Sequence, residues 1–254
     1  TLIIKYATES EEFLNELTSL YETVWKYQVL PVNWVHSKLI AIWKGPNQGR
    51  KEDPEAYRGL QVGSSLCKIM VIVVINRLRA GYELQLLDNQ QGFRLGRGTT
   101  DGIYVAKKIQ QITHSTKKKA FLLFVDLSAA FDHVRRSWLF KTLMSGFPTD
   151  ADKSLIQLLK SLYDHTTTSL SDSPADIFET KSGVRQGGPE SPLLFNLFLD
   201  FVMRIYVNEC RNKGIKFLPL KYYIPRQASQ NDKAAAGSFE MDWIGYADNL
   251  LLNR

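Results

Sequence analysis

Tyr246-Ala247-Asp248-Asn249 stands near the C-terminal end, after Met241-Asp242-Trp243-Ile244 and before Leu250-Leu251-Leu252. Apolar runs flanking a short acidic turn read as a β-hairpin whose tip holds a carboxylate. Far upstream a second apolar strand, Phe121-Leu122-Leu123-Phe124-Val125, also ends in a carboxylate, Asp126. Helical and strand patterns mix between these points without βαβ regularity. That order predicts an α+β fold.

Outward from these strands the periodicity assigns the other elements. Ser10-Glu11-Glu12 opens a helix with Phe13, Leu17, Leu20, Tyr21, Val24 and Trp25 on one face. His36 to Trp43 reads as a strand, followed by a polar loop from Lys44 to Arg58. Ser64 or Ser65 caps a long apolar helix to about Leu84. Gln91 to Gly98 is a Gly/Arg loop, and Thr99 starts a helix to about Thr113. Helices follow over Ser137–Ser145 and Asp150–Tyr163, then a hairpin of Thr166–Leu170 with Asp176–Thr180. Ser191 begins a helix to about Arg211, and Tyr222 to Gly237 reads as an inserted polar loop.

Composition sets outer bounds. The chain has 254 residues, 44% hydrophobic, enough for one large domain or two subdomains. Its net charge of +6 favours an anionic partner. Cys67 and Cys210 have no metal-ligand neighbours and fall in apolar helical patterns. They read as buried free thiols, which suits a reducing compartment inside the cell, nucleus or cytoplasm. The longest apolar run, Ile69 to Ile75, is too short to span a bilayer, so no membrane association is expected. The four histidines lack ligand-like spacing.

Two strand-end carboxylates suit a pair of divalent cations about 3.5–4 Å apart, the requirement of two-metal phosphoryl transfer. The surrounding sequence carries a resemblance that sharpens this. Phe124-Val125-Asp126-Leu127-Ser128-Ala129-Ala130-Phe131-Asp132 resembles the first catalytic motif of non-LTR retrotransposon reverse transcriptases, and Tyr246-Ala247-Asp248-Asn249 resembles their Tyr-Ala-Asp-Asp box. Between them, the run from Ser182 to Asn196 (Gly183-Val184-Arg185-Gln186-Gly187, then Ser191-Pro192-Leu193-Leu194-Phe195) is similar to the Gly-Val-Arg-Gln-Gly motif. Trp43-Lys44-Gly45 with Ala56-Tyr57-Arg58-Gly59-Leu60 resembles the fingers motif. Lys68 with Asn76-Arg77-Leu78, and Gln91-Gly92-Phe93-Arg94 with Gly96 to Asp101, match the blocks that follow.

The resemblance implies right-hand polymerase fingers and palm, with an antiparallel palm sheet backed by helices. Subdomains would fall at 1–27 (helical extension), 28–117 (fingers) and 118–254 (incomplete palm, with fingers elements interleaved); the thumb would be absent. It implies Asp126 and Asp248 as ligands of two Mg²⁺ ions (Mn²⁺ as alternative), with the Leu127 carbonyl adding an oxygen. Asn249 sits where the family has its third carboxylate. Phe131 would pack beneath the incoming sugar and exclude a 2′-hydroxyl. Lys44 and Arg58 would hold the triphosphate, because guanidinium forks match phosphate oxygens. Gln186 would contact the nucleotide, and Gly187 and Gly188 would let backbone approach it. Tyr246 would lie near the primer terminus or the templating pair. Arg94 and Arg97, with Lys107, Lys108 and Lys117–Lys119, would line a template groove. The implied partners are an RNA template, a DNA primer and dNTP.

Three departures weigh against full activity. Asn249 removes a negative charge beside the cations, Glu190 adds one near the nucleotide path, and the sequence stops at Arg254, before the expected thumb. An impaired polymerase is therefore expected, with a decayed nucleic-acid-binding or scaffold module as the alternative.

Overall fold

The computed structural model describes residues 9–83, 86–117, 119, 121–147, 149–171, 173–215, 219–220, 239–240 and 243–253. Along the chain run α1 (Glu11–Tyr27), α2 (Val32–Val35), β1 (His36–Trp43), β2 (Tyr57–Gly63), α3 (Ser65–Glu83) and α4 (Thr99–Thr116). Then come β3 (Leu122–Asp126), α5 (Arg136–Gly146), α6 (Asp150–Asp164), β4 (Thr167–Ser169), β5 (Ile177–Glu179) and α7 (Ser191–Asn212). Last are β6 (Pro219–Leu220), β7 (Phe239–Glu240), β8 (Trp243–Tyr246) and β9 (Asn249–Asn253). These elements form two compact units, each from two stretches of chain: Thr1–Gln85 with Phe131–Phe195, and Leu86–Ala130 with Asn196–Arg254.

The first unit is built on a four-stranded sheet in the order β2-β1-β4-β5. β1 spans the residues expected of it, around the apolar run Leu39–Trp43, and pairs antiparallel with β2 from Ser37 opposite Gly63 to Trp43 opposite Tyr57. The expected loop to Arg58 therefore ends two residues early, at Ala56. Two glycines and an arginine give β2 weak strand propensity, so pairing along the whole of β1 decides its state. β4 joins β1 in parallel, His36 opposite Thr167, a long-range pairing that no local pattern announces. Helices pack around this sheet. The Ser10 hydroxyl accepts the Phe13 N–H at the start of α1, with Glu11 and Glu12 favourably placed in the first turn. Tyr21 donates its hydroxyl to the Leu66 carbonyl at 2.9 Å, tying α1 to α3. The core gathers Val74 and Leu78 of α3, Leu139 of α5, and Ile156, Leu159 and Leu162 of α6.

The second unit is a three-stranded antiparallel sheet, β3-β9-β8, with α4 packed on β8. Its core holds Val105 and Ile109 of α4, Trp243 and Ile244 of β8, and Leu250 and Leu251 of β9. This is the antiparallel sheet with helical backing that the motifs imply for a palm. β6 and β7 form a separate antiparallel pair. The predicted loop Tyr222–Gly237 lies outside the described residues, as do Met241 and Asp242 at the start of the predicted strand.

Both cysteines are free and buried, and burial pushes the Cys67 thiol up to about 12. Among the described residues no helix is long and apolar enough to cross a membrane.

Candidate active site

The second unit brings the two predicted carboxylates together. Asp126, the last residue of β3, stands opposite Asn249, the first of β9; Asn249 in turn pairs with Tyr246 of β8. Ala247 and Asp248 form the turn between β8 and β9. The Leu127 N–H donates to the Asp248 carbonyl at 3.3 Å, so β3 stays tied to the hairpin beyond the strand end. Asp126 and Asn249 are exposed and Asp248 is half-buried. The Asn249 amide nitrogen lies 3.3 Å from Asp248 Oδ1 and donates to it. A cavity of about 580 Å³ found elsewhere, against α5 and α6, does not touch these residues. The cleft beside Asp126 is smaller, about 490 Å³, with Gly102, Ile103, Phe124 and Tyr246 in its walls.

A buried amide holds the turn. Ala247 adopts φ 56°, a left-handed conformation that favours glycine. Gln90, 1% exposed, accepts the Ala247 N–H on Oε1 and donates from Nε2 to the Ala247 carbonyl, both at 3.1 Å. Backbone bonds from Gln91 N–H to the Gly245 carbonyl and from Gly245 N–H to the Asn89 carbonyl extend the clamp. A Cβ on Gly92 would lie 2.3 Å from the Ala247 nitrogen, so only glycine fits there. The sequence reading missed Gln90. Its one signal is an amide directly before the Gln91-Gly92 pair. The Gln90 Oε1 also accepts the Gly92 N–H at 2.9 Å. Replacing this residue (Gln90→Leu) strands three buried backbone groups, for an expected loss of about 3–5 kcal/mol. Denaturant unfolding measures this, and a loss below about 0.5 kcal/mol would contradict the clamp.

Arg94 and Arg97 are turned into this same loop. Arg94 is buried and donates to the Leu87 and Gln90 carbonyls at 2.7 and 3.3 Å. Arg97 pairs with Asp88 and donates to its carbonyl. Both guanidinium groups thus brace the support under the hairpin, where the sequence suggested an open template groove.

The first unit carries the residues expected on the nucleotide side. Lys44 lies just past β1, exposed, with Nζ donating to the Glu55 carbonyl at 2.7 Å. Arg58 is exposed on β2, opposite Ile42 of β1. The Phe131 ring stacks on Phe195 with centroids 4.7 Å apart and planes 9° from parallel, which fixes its orientation. Gln186 donates from Nε2 to both carboxylate oxygens of Asp132, at 3.0 and 2.9 Å. Its carbonyl accepts the Gln61 N–H at 2.7 Å. Gly187 has φ 103°, and a Cβ there would meet Leu60 Cδ1 at 2.6 Å; one on Gly188 would meet Glu190 Oε1 at 2.5 Å. The left-handed backbone therefore requires glycine at 187, and a side chain at 188 would displace the Glu190 carboxyl.

Glu190 is a correction to the sequence reading. It is 1% exposed and points into the unit, where its carboxyl accepts the Tyr163 hydroxyl at 2.8 Å. It adds no charge at an open surface. Burial raises its pKa above 4.5, against the opposing pull of Arg185 and Lys68. A carboxyl raised on folding stabilises the folded state while protonated, and that contribution fades as pH climbs from 4.5 through the folded value. Glu190→Gln keeps an acceptor for Tyr163 and removes this titration. The variant should match the parent near pH 4 (about the unperturbed value) and exceed it in thermal midpoint at pH 7 (roughly neutral). Equal midpoints at both pH values would refute the assignment.

The donors at the hairpin suit a hard divalent cation: two carboxylates, the Leu127 carbonyl and the Asn249 amide oxygen, all oxygen. Among the described residues no group of three or more His, Cys, Asp or Glu converges on one point.

A strand-end carboxylate beside a carboxylate-bearing hairpin, on a helix-backed antiparallel sheet, defines a polymerase palm. The chain belongs to the reverse transcriptase (RNA-dependent DNA polymerase) family, which it matches over residues 19–253. Members of this family generally use divalent metals. The retrovirus-related Pol polyprotein of type-2 retrotransposable element R2DM from Drosophila melanogaster is 26% identical over 158 residues, covering 61% of this chain and 14% of that protein. The probable RNA-directed DNA polymerase from transposon BS of the same organism is 28% identical over 184 residues, covering 72% and 20%. The chain thus spans a fifth or less of these relatives' length. Among solved structures, telomerase from Candida albicans, in complex with a fragment of telomeric RNA, superposes with TM-score 0.50 at 14% identity, covering 96% of this chain and 42% of that one. Apo telomerase from Candida tropicalis gives 0.51 at 11% identity, covering 96% and 44%. These likenesses show the fold.

Proposed function

We propose that this chain is the fingers-and-palm portion of an RNA-directed DNA polymerase of the non-LTR retrotransposon type, slowed by Asn249. The observation that carries the reading is the register of Asp126 on Asn249 with Asp248 in the adjoining turn. In the reaction the primer 3′-oxygen bonds to the α-phosphorus of dNTP. The bond from that phosphorus to the bridging oxygen breaks, pyrophosphate leaves, and the hydroxyl proton passes to solvent. Asp126 and Asp248, with the Leu127 carbonyl, would hold two Mg²⁺ or Mn²⁺ ions. When bound, these supply a lowered pKa for the attacking hydroxyl and charge neutralisation of the leaving pyrophosphate. Lys44 and Arg58 would grip the triphosphate, and Phe131, immobilised on Phe195, would bar a 2′-hydroxyl. Gln186 and Gly187 belong to the turn that meets the nucleotide, and Tyr246 to the primer side. The net charge of +6 supports a nucleic-acid partner.

Primer extension on RNA and on DNA templates, with Mg²⁺ or Mn²⁺, tests the reading. Slow addition directed by the RNA template is expected. Should neither this chain nor its Asn249→Asp variant add nucleotides, while salt-dependent RNA binding persists, a nucleic-acid-binding module replaces the polymerase.

A further inference from the structure

Gln186 and Asp132 lie 54 residues apart in sequence and meet within one unit. Two backbone bonds hold their segments together: Gly183 N–H to the Val134 carbonyl and Val184 N–H to the Phe131 carbonyl, both 2.9 Å. Gly183 permits the approach, since its Cβ would lie 2.8 Å from the Asp132 Cα at φ 78°. Arg136 secures the same segment through the Ser182 and Gly183 carbonyls, at 3.0 and 2.8 Å. The Gln186 amide thus meets a carboxylate whose place the backbone fixes.

A carboxylate only accepts, so it selects one of the two amide orientations. Gln186 must present its NH₂ to Asp132, at 3.0 and 2.9 Å, and turn Oε1 away as an acceptor. A template-directed enzyme takes all four bases, whose N–H donors differ. The donor that every dNTP shares is the sugar 3′-hydroxyl.

We infer that Asp132 is a positioning residue: it fixes the polarity of the Gln186 amide so that Oε1 accepts the 3′-hydroxyl of the incoming nucleotide. This rests on the reading that Gln186 contacts the nucleotide. Asp132 itself touches no substrate. An Asn at position 132 carries both donor and acceptor, so it leaves both orientations open.

The test is equilibrium binding of dNTP, and of the matching 3′-deoxy analogue, to the chain on a dideoxy-terminated primer and RNA template. The chain is expected to prefer dNTP, and Asp132→Asn to weaken dNTP roughly 3- to 10-fold while leaving the analogue unchanged. General loosening would weaken both ligands alike, so the ratio isolates the polarity effect. Gln186→Ala should lose the same preference. If Gln186→Ala erases it and Asp132→Asn keeps it, the inference about Asp132 fails alone. If Gln186→Ala leaves dNTP affinity unchanged, the nucleotide role of Gln186 fails and the inference with it.

Discussion

Replacing Asn249 with Asp is expected to raise single-nucleotide addition on an RNA template by about 10²–10⁴-fold. Asn249 stands opposite Asp126 and donates its amide to Asp248 Oδ1, so in the proposed cation centre it occupies one of the two carboxylates and brings no charge of its own. A carboxylate there gives the cations a third negative charge and releases Asp248. Each tenfold in rate corresponds to about 1.4 kcal/mol, so a few kcal/mol of added stabilisation accounts for the range. The same substitution has a readout apart from catalysis. Without divalent cations, three carboxylates at one sheet end repel, and the thermal midpoint of the variant should fall below the parent. Added Mg²⁺ or Mn²⁺ should raise the variant's midpoint more than the parent's. A variant with the parent's rate and the parent's response to cations would show that position 249 lies outside the cation site.

Arg136→Met should be the most damaging single change in the first unit, at about 3–5 kcal/mol. Its guanidinium donates to the carbonyls of Tyr163, Thr180, Ser182 and Gly183 and to the hydroxyls of Thr166 and Thr180, at 2.6 to 3.4 Å. It also lies over the Tyr163 ring, 5.1 Å from its centroid. Burial pushes its pKa down, a sign of how costly the cation would be here without these acceptors. Met fills similar space and takes the guanidinium donors from the Tyr163, Ser182 and Gly183 carbonyls, while the Thr180 carbonyl keeps the Thr166 hydroxyl. The thermal midpoint should drop by roughly 10 °C. Arg136→Lys, a point charge without a fork, should recover less than half of the loss. A cost below about 1 kcal/mol for Arg136→Met would mean the carbonyls find other donors.

The sequence made most of the helices and both carboxylate strands legible, because each carries its own signal. β1 holds the apolar run Leu39–Trp43, Ser10 and Thr149 supply N-caps, and β3 and β8 are apolar runs ending at turns. What stayed hidden depends on partners distant in sequence. β2 exists through β1, and β4 through a parallel pairing across 131 residues. Gln90 sits in a polar loop with nothing local to say that its amide would be buried against Ala247. The acidic side chain of Glu190 suggested exposure, while Tyr163 and the space above Gly188 draw it inward. Arg94 and Arg97 read as phosphate-binding cations because charge is visible in a sequence and the carbonyls they serve are not. For the site itself, the motifs located Asp126 and Asp248, and the register of β3 on β9 supplied their adjacency.

The most direct measurement is single-turnover incorporation of one nucleotide on an RNA template, comparing Asn249→Asp with Asn249→Asp/Asp126→Asn. Asp126 is exposed at a strand end, so its change should leave the unfolding midpoint within a few degrees. If Asp126 and Asp248 form the cation centre, the double variant loses at least about 10³-fold in rate. A double variant within about threefold of its parent would contradict that assignment.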